Sequence, residues 1–596
     1  MNVARDRPTA TGARPMPESG MREPSPRDLQ RRNEALRCLR DQNPTQCQGR
    51  VHINVFFDGT GNNWNWAGTF VSGKTRGTQT QRARNGHTNI VRLWDAAVDE
   101  DPKAGIFNVY VPGVGTPFEE VGDTSQDGDV AGGAAARYGA HRINWAILQV
   151  YNALSRYVEN GDLFDKPAAL AAVQNMTRVM SMPAFDDWIK SPSLPLSENA
   201  HRQLRLREKE DHLASVLKAL ELRKKVLEVN VSVFGFSRGS AQARTFAHWL
   251  FEIARYNNYH CSRMLAGVPL KLNFMGIFDT VASVGIASGI PAVGRLARGK
   301  MNWAWGEMMS IHPDVEQCVH FAALHEQRMN FPLDFAPNDG GRRKQVLYPG
   351  MHSDVGGGYT PGSQGKGMRG WGASPNLSQI PLIDMYHEAF TAGVFLKEPS
   401  EIKSDAKAGP GFACDIRLIR CYNNWLSKHG VAGGDHQRQI RGHALQYLRW
   451  RGLRAKDGPS NMRQQRYFIE SDHEDQYDLN QAQVWMSVSK AGNEYNFIDR
   501  LNSERDLLNA FDAADVAPEV AALLDDYVHD SLAGFYILKL TELMLPNTDG
   551  YFRYRETFTV GTPLQPSVCV HPSSLPPTNV PSIDQIIGDM GRAFGN

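Results

Sequence analysis

The sequence has no stretch of about 18 uninterrupted apolar residues, so no membrane-spanning helix is expected. It also lacks a net charge: 65 Lys and Arg oppose 64 Asp and Glu, a formal +1. Nothing global draws it to nucleic acid, and no nucleic-acid partner is expected. Cysteine is sparse, seven residues scattered from Cys38 to Cys569 without C-x-x-C spacing. An odd count and wide scatter argue against a disulfide framework or a zinc knuckle, and free thiols are expected, although a Cys38–Cys47 bridge is conceivable. The first twenty residues hold no apolar core of signal-peptide length, so synthesis in the cytoplasm without a Sec signal is expected. Gly59 and Gly61 are followed by no third glycine at the dinucleotide-fingerprint position. His312, His320 and His325 match no metal-ligand spacing, and Asp127-Gly128-Asp129 lacks the rest of a calcium loop. Neither metal nor cofactor is expected, and no internal repeat is visible.

What is present is the composition of a large globular protein, 41% hydrophobic and 22% charged over 596 residues. Residues 1–48 are rich in Pro, Arg, Ser and Glu and read as a flexible tail, with a short helix near 28–40. Apolar runs at 51–57, 106–111, 229–234, 270–278, 318–324 and 345–348 read as buried strands. Helical patterns separate them: 88–93 with Thr88 or Asn89 as cap, 132–157, and a strongly charged helix at 201–225. This alternation predicts an α/β fold, a mostly parallel sheet flanked by helices. Beyond about 376 the chain reads as helices and polar loops, the clearest helices at 377–394 and 506–540, with a very polar loop at 455–478 and an extended end at 563–581.

Residues 229–244 carry the strongest chemical signal. The apolar run Val229–Phe234 leads into Gly235-Phe236-Ser237-Arg238-Gly239 and then into small, helix-compatible residues. That is strand, tight turn and helix, the context a G-x-S-x-G nucleophile elbow requires. The glycines let a strained turn close, and the serine hydroxyl then projects above the sheet edge. The Arg238 amide, at the helix start, is a candidate oxyanion donor, and Gly59 and Thr60 of the loop after the first strand are candidates for a second.

Forty-two residues beyond Ser237, counted as 279 − 237, Asp279 closes the 270–278 strand. His352 follows the 345–348 strand in a loop flanked by glycines, completing the order Ser, Asp, His. Asp354, two residues from His352, is the alternative acid. Residues 284–309 combine an apolar Gly-rich loop with basic and aromatic residues, a pattern that suits a lid touching lipid through Ile286, Ile290, Trp303 and Trp305, or a buried connection under a cap.

Five segments together resemble the α/β-hydrolase domain of the type VI secretion lipase effectors, family one: residues 56–62, 111–116, 235–239, 278–281 and 350–359. The resemblance spans roughly residues 50–395. Tyr527-Val528-His529-Asp530-Ser531 and Gly550-Tyr551-Phe552-Arg553-Tyr554-Arg555 resemble C-terminal signatures of its larger members. The resemblance implies a phospholipase of A1 or A2 type with Ser237 as nucleophile, Asp279 as acid and His352 as base. It further implies delivery by a type VI system to the periplasm of a target cell. The implied partners are that cell's phospholipid membrane, a secretion spike protein and a cognate immunity protein. The expected organisation is a tail at 1–48, a catalytic domain at 49–395 with helical insertions near 160–225 and 284–315, and a mainly helical accessory region at 396–596. Two other readings stay open: a soluble serine esterase, thioesterase or peptidase on the same scaffold, and a hydrolase-like interaction module without catalysis.

Overall fold

The computed structural model describes residues 12–40, 49–64, 86–124, 138–177, 196–220, 225–257, 262–282, 302–328, 330–336, 341–367, 376–429, 435–456, 459–495, 505–537, 540–541 and 552–559. Its centre is a sheet built from β1 (Arg50–Phe57), β2 (Ile106–Val111), β3 (Glu228–Phe236), β4 (Arg255–Asn257), β5 (Ser262–Leu265), β6 (Val268–Phe278), β7 (Cys318–Ala323) and β9 (Arg343–Tyr348). Six of these run parallel in the order β2-β1-β3-β6-β7-β9. Strands β4 and β5 form an antiparallel hairpin on the start of β6. Short β8 (Leu333–Asp334), β10 (Tyr536–Ile537), β11 (Leu540–Thr541) and β12 (Thr557–Phe558) lie outside it, β12 pairing with β8.

Period-two alternation divides the strand side chains between two layers. Val51, Ile53, Val55 and Phe57, with Val229, Val231 and Val233, join a cluster that includes the helices Gly139–Glu159 and Arg238–Ile253. Phe56, Phe234, Phe236 and Phe274 join the opposite cluster, with the helices Asn89–Asp95 and Gln379–Thr391 and several from the C-terminal region. The chain moves outward from β1 to β2 and then crosses back to β3. Between β1 and β3 the winding reverses, and the crevice beyond the strand ends at such a point is where open α/β sheets bind ligands.

Several expectations need correction. The tail expected at 1–48 is, over 12–40, a strap on the core. Ala13 and Met16 are buried, Asn423 exchanges hydrogen bonds with the Met16 backbone, Arg22 pairs with buried Asp384, and Arg32 donates to the Leu396 carbonyl. Its helix spans Pro26–Arg40. Cys38 is disulfide-bonded, its partner lying outside the described residues, whereas Cys318, Cys414 and Cys421 are free. The polar stretch 455–478 is largely helical (Pro459–Arg463, Arg466–Glu470, then His473–Tyr495). The expected helix 506–540 is two helices, Arg505–Ala513 and Pro518–Asp526, followed by non-helical chain. Pro518 begins the second because it cannot continue a preceding turn, and Ala514 takes a positive φ of 47° between them. No helix among the described residues is long and apolar enough to cross a membrane.

Candidate active site

Ser237 leaves β3 with φ 58° and ψ −124°, a region that non-glycine residues rarely occupy. Its backbone is held from both sides. The Ser237 N–H donates to the Phe278 carbonyl at 3.0 Å, and the Val281 N–H donates to the Ser237 carbonyl at 3.3 Å. Both flanking glycines are required by close backbone approach. A Cβ on Gly235 would lie 2.5 Å from the Gly239 oxygen, and one on Gly239 would lie 2.3 Å from the Phe57 oxygen. The second approach places the end of β1 beside the elbow.

The two loop residues named as oxyanion donors differ in their hydrogen bonding. The Gly59 N–H donates to the Asp58 carboxylate at 2.7 Å and is committed there. Among the described residues, Thr60 is bonded through neither its N–H nor its buried hydroxyl. The Arg238 N–H, at the start of the elbow helix, also donates to no acceptor among the described residues. Asp58 itself is fully buried and also accepts from Thr88 at 2.6 Å and Tyr110 at 2.5 Å. Burial raises its carboxyl to about 6 despite these donors. Its observed work is to shape the loop. The 111–116 loop locks against it, because the Gly113 N–H donates to the Asn62 carbonyl at 2.9 Å and a Cβ on Gly113 would strike the Gly59 oxygen.

Asp279 closes β6, next to β3, also with positive φ (38°). Its Oδ2 lies 2.5 Å from His352 Nδ1, and the Ala323 N–H donates to its Oδ1 at 2.8 Å. Arg555 adds a two-pronged ion pair, with Nη1 2.8 Å from Oδ1 and Nη2 2.7 Å from Oδ2. Burial opposes ionisation of Asp279, but Arg555 first, and then His352, hold it far below the usual carboxylate range. His352 begins the short helix His352–Gly356. Its ring lies 4.6 Å from the Phe236 ring and 4.9 Å from Phe331, and a Cβ on Gly356 would penetrate the Phe236 ring. The imidazole thus packs on the residue preceding Ser237. Burial lowers its pKa against the opposing pull of Asp279.

Asp354 does not orient His352. It binds the Met351 N–H at 2.9 Å and pairs with His529 at 2.6 Å. The acid assigned second is therefore the anchor of a neighbouring loop, and its two-residue spacing from His352 points the carboxylate elsewhere. Of the four lid residues, Ile286 and Ile290 lie outside the described residues. Trp303 is fully buried, packed on Gly139, and cannot touch lipid there, while Trp305 is 57% exposed. His320 donates or accepts within a Thr280–Gln345 network, and His325 accepts from the Gly350 N–H. Sequence reasoning noted the C-terminal signatures but not their place: Arg555 reaches Asp279, His529 reaches Asp354, and Ser531 reaches Glu326. Only the resemblance signalled them.

A serine on a strained strand-to-helix turn, beside a sheet-edge acid that grips an imidazole, is an arrangement suited to acyl transfer. Residues 52–264 and 253–388 match the catalytic domain of a family described as type VI secretion, phospholipase effector Tle1-like. Together these stretches span residues 52–388, more than half of the 596-residue chain. The chain belongs to this family. All five motifs that carried the resemblance fall inside the matched stretch, and the effector is a lipid-hydrolysing enzyme of a type VI secretion family. No curated protein matches it. Among solved structures, an uncharacterized protein from Pseudomonas aeruginosa is similar at 24% identity with a TM-score of 0.71, over 91% of this chain and 84% of that one, a likeness of fold. A Tle1 effector bound to the VgrG spike of the type 6 secretion system matches at 19% identity and a TM-score of 0.27, over 53% and 52% of the two chains.

Proposed function

We propose that the effector is a serine phospholipase of A1 or A2 type in which Ser237 is the nucleophile, His352 the general base and Asp279 the orienting acid. The observation that carries the reading is the 2.5 Å contact between His352 Nδ1 and Asp279 Oδ2, on an imidazole packed against the residue before Ser237. With Nδ1 committed to Asp279, Nε2 is the ring nitrogen left to take the serine proton. Ser237 Oγ attacks the acyl ester carbonyl, and the proton passes to His352. The oxygen that becomes negative is met by the Arg238 and Thr60 amides, which have no hydrogen-bond partner among the described residues. Collapse of the intermediate expels the lysophospholipid alkoxide, which takes the proton from His352 and leaves an acyl-serine. Water, deprotonated by the same imidazole, releases the fatty acid and restores Ser237.

Membership of a secretion effector family supports the remaining assignments: delivery through a spike protein, action on the periplasmic face of a target cell's phospholipid membrane, and neutralisation by an immunity protein in the producing cell. The test is mass spectrometry of phospholipid vesicles incubated with the protein and with Ser237→Ala. The wild type should release free fatty acid and one lysolipid regioisomer, whose identity fixes A1 or A2. Ser237→Ala should lose about 10⁴-fold in rate or more with an unchanged circular dichroism spectrum. Full activity of folded Ser237→Ala rejects the mechanism, and exclusive cleavage of short soluble esters rejects the lipid substrate.

A further inference from the structure

The C-terminal segment 552–559 is stitched to the chain that follows β7. Strand β12 pairs with β8, the Leu333 N–H donates to the Glu556 carbonyl at 2.9 Å, and the Phe335 N–H donates to the Phe558 carbonyl at 2.8 Å. This stitching inserts Arg555 beneath the site. The guanidinium is fully buried, as is Asp279. Beyond its two bonds to the Asp279 carboxylate, Nε donates to the Phe331 carbonyl at 2.8 Å and Nη1 also faces the Ala323 carbonyl at 3.3 Å. Phe331 in turn packs on the His352 ring. An acid that only orients an imidazole needs a backbone donor such as the Ala323 N–H. A buried, forked cation on the same carboxylate does two further things. It fixes the carboxylate plane, and it offsets part of the negative charge that the imidazole meets.

We propose that Arg555 is a positioning residue of the catalytic centre: it holds the Asp279 carboxylate in the plane that His352 requires, and its charge sets how basic His352 is. The inference rests on the Ser237–His352–Asp279 reading above. The other charged groups around His352 are accounted for. Glu326 accepts from the His352 N–H at 3.2 Å, and Arg328 pairs with Glu326 at 2.9 Å. Asp354, on His352's own helix, is paired with His529. Glu326 also feels the Arg555 charge, which against burial and together with Arg328 holds its carboxyl low, and all of these groups remain in the variants below.

The sign follows from charge. The base works as neutral imidazole, and a nearby cation disfavours imidazolium. Removing the cation therefore raises the His352 pKa and moves the acid limb of the rate profile to higher pH. The experiment is the rate of fluorophosphonate labelling of Ser237, and kcat/KM on phosphatidylglycerol–phosphatidylethanolamine vesicles, from pH 4 to 9, for the full-length wild type, Arg555→Gln and Arg555→Lys. Arg555→Gln should move the acid limb up by about one pH unit. Arg555→Lys keeps the charge but loses the fork, so its limb should stay at the wild-type position while kcat falls by about 10²-fold. An Arg555→Gln limb at the wild-type position, at any rate, reduces Arg555 to a clip for the C-terminal segment and overturns the proposal. If Arg555→Gln does not fold, Arg555→Lys decides alone: wild-type kcat, or a displaced limb, overturns it. A wild type that neither labels nor hydrolyses lipid defeats the serine-hydrolase reading itself, whereas a labelled wild type with unmoved variants defeats only the role of Arg555.

Discussion

Ser237 and Asp279 both sit at positive φ, a conformation that costs roughly 1–3 kcal/mol for each non-glycine residue. The surrounding hydrogen bonds over-determine them. The elbow and the β6 end are bonded to each other in both directions, and Asp279 is tied through its N–H to the Phe321 carbonyl as well as through its carboxylate. His352 lies where burial disfavours its charge, below its ordinary value of 6.5 even with Asp279 beside it. The active form of a general base is neutral, so the wild-type acid limb should lie below pH 6.5. A pH series of kcat/KM checks this, and a limb above 7 would show that the Asp279 attraction outweighs burial. At this scale the sequence was informative about where Ser237, Asp279 and His352 sit, because each follows a strand whose apolar run is unmistakable. It was uninformative about Asp354 and His529. Which of two nearby acids grips an imidazole depends on side-chain direction, and the residue 175 positions away that claims Asp354 leaves no local trace.

Elements were legible where both faces are buried. The Val- and Phe-rich strands could be placed to within about two residues, and of the two caps the sequence offered, Thr88 and Asn89, the cap is Thr88, whose side chain accepts from the Val91 N–H. The strap at 12–40 was legible only in its helix, read near 28–40 and observed at Pro26–Arg40; its docking was not, because the Asn423, Asp384 and Leu396 contacts that fix it lie hundreds of residues away. Its most buried ion pair joins Arg22, 8% exposed, to Asp384 at 1%. Asp384 also accepts from Tyr348 OH. Arg22→Met takes the buried cation from Asp384, leaving only the more exposed Arg14 at 4.0 Å, and should destabilise the protein by up to about 3–5 kcal/mol. Denaturant unfolding of the two proteins measures it. Adding Asp384→Asn should recover part of the loss, since the orphaned charge is then gone. A loss under about 0.5 kcal/mol would mean that the strap does not stabilise the core.

On the scale of the whole molecule, the region after residue 396 is not an appendage. Its side chains share a hydrophobic cluster with the sheet, and it supplies Arg555, His529 and Ser531 to the acid, the loop and the carboxylate around His352. Lys366 donates to the Leu524 and Asp525 carbonyls, closing the same seam from the other side. Sequence patterns found the α/β core because its period is local. They missed this assembly because it joins residues as far as 276 positions apart, as Arg555 and Asp279 are, and such pairings leave no local periodicity. In the proposed mechanism, these long-range contacts turn one hydroxyl into a nucleophile. Peptide mapping after fluorophosphonate treatment of the wild type, Ser237→Ala and His352→Ala tests it most directly. A single adduct on the peptide containing Ser237, absent from Ser237→Ala and slowed by orders of magnitude in His352→Ala, is the predicted result. No adduct on the folded wild type, or an adduct formed at an undiminished rate without His352, would contradict it.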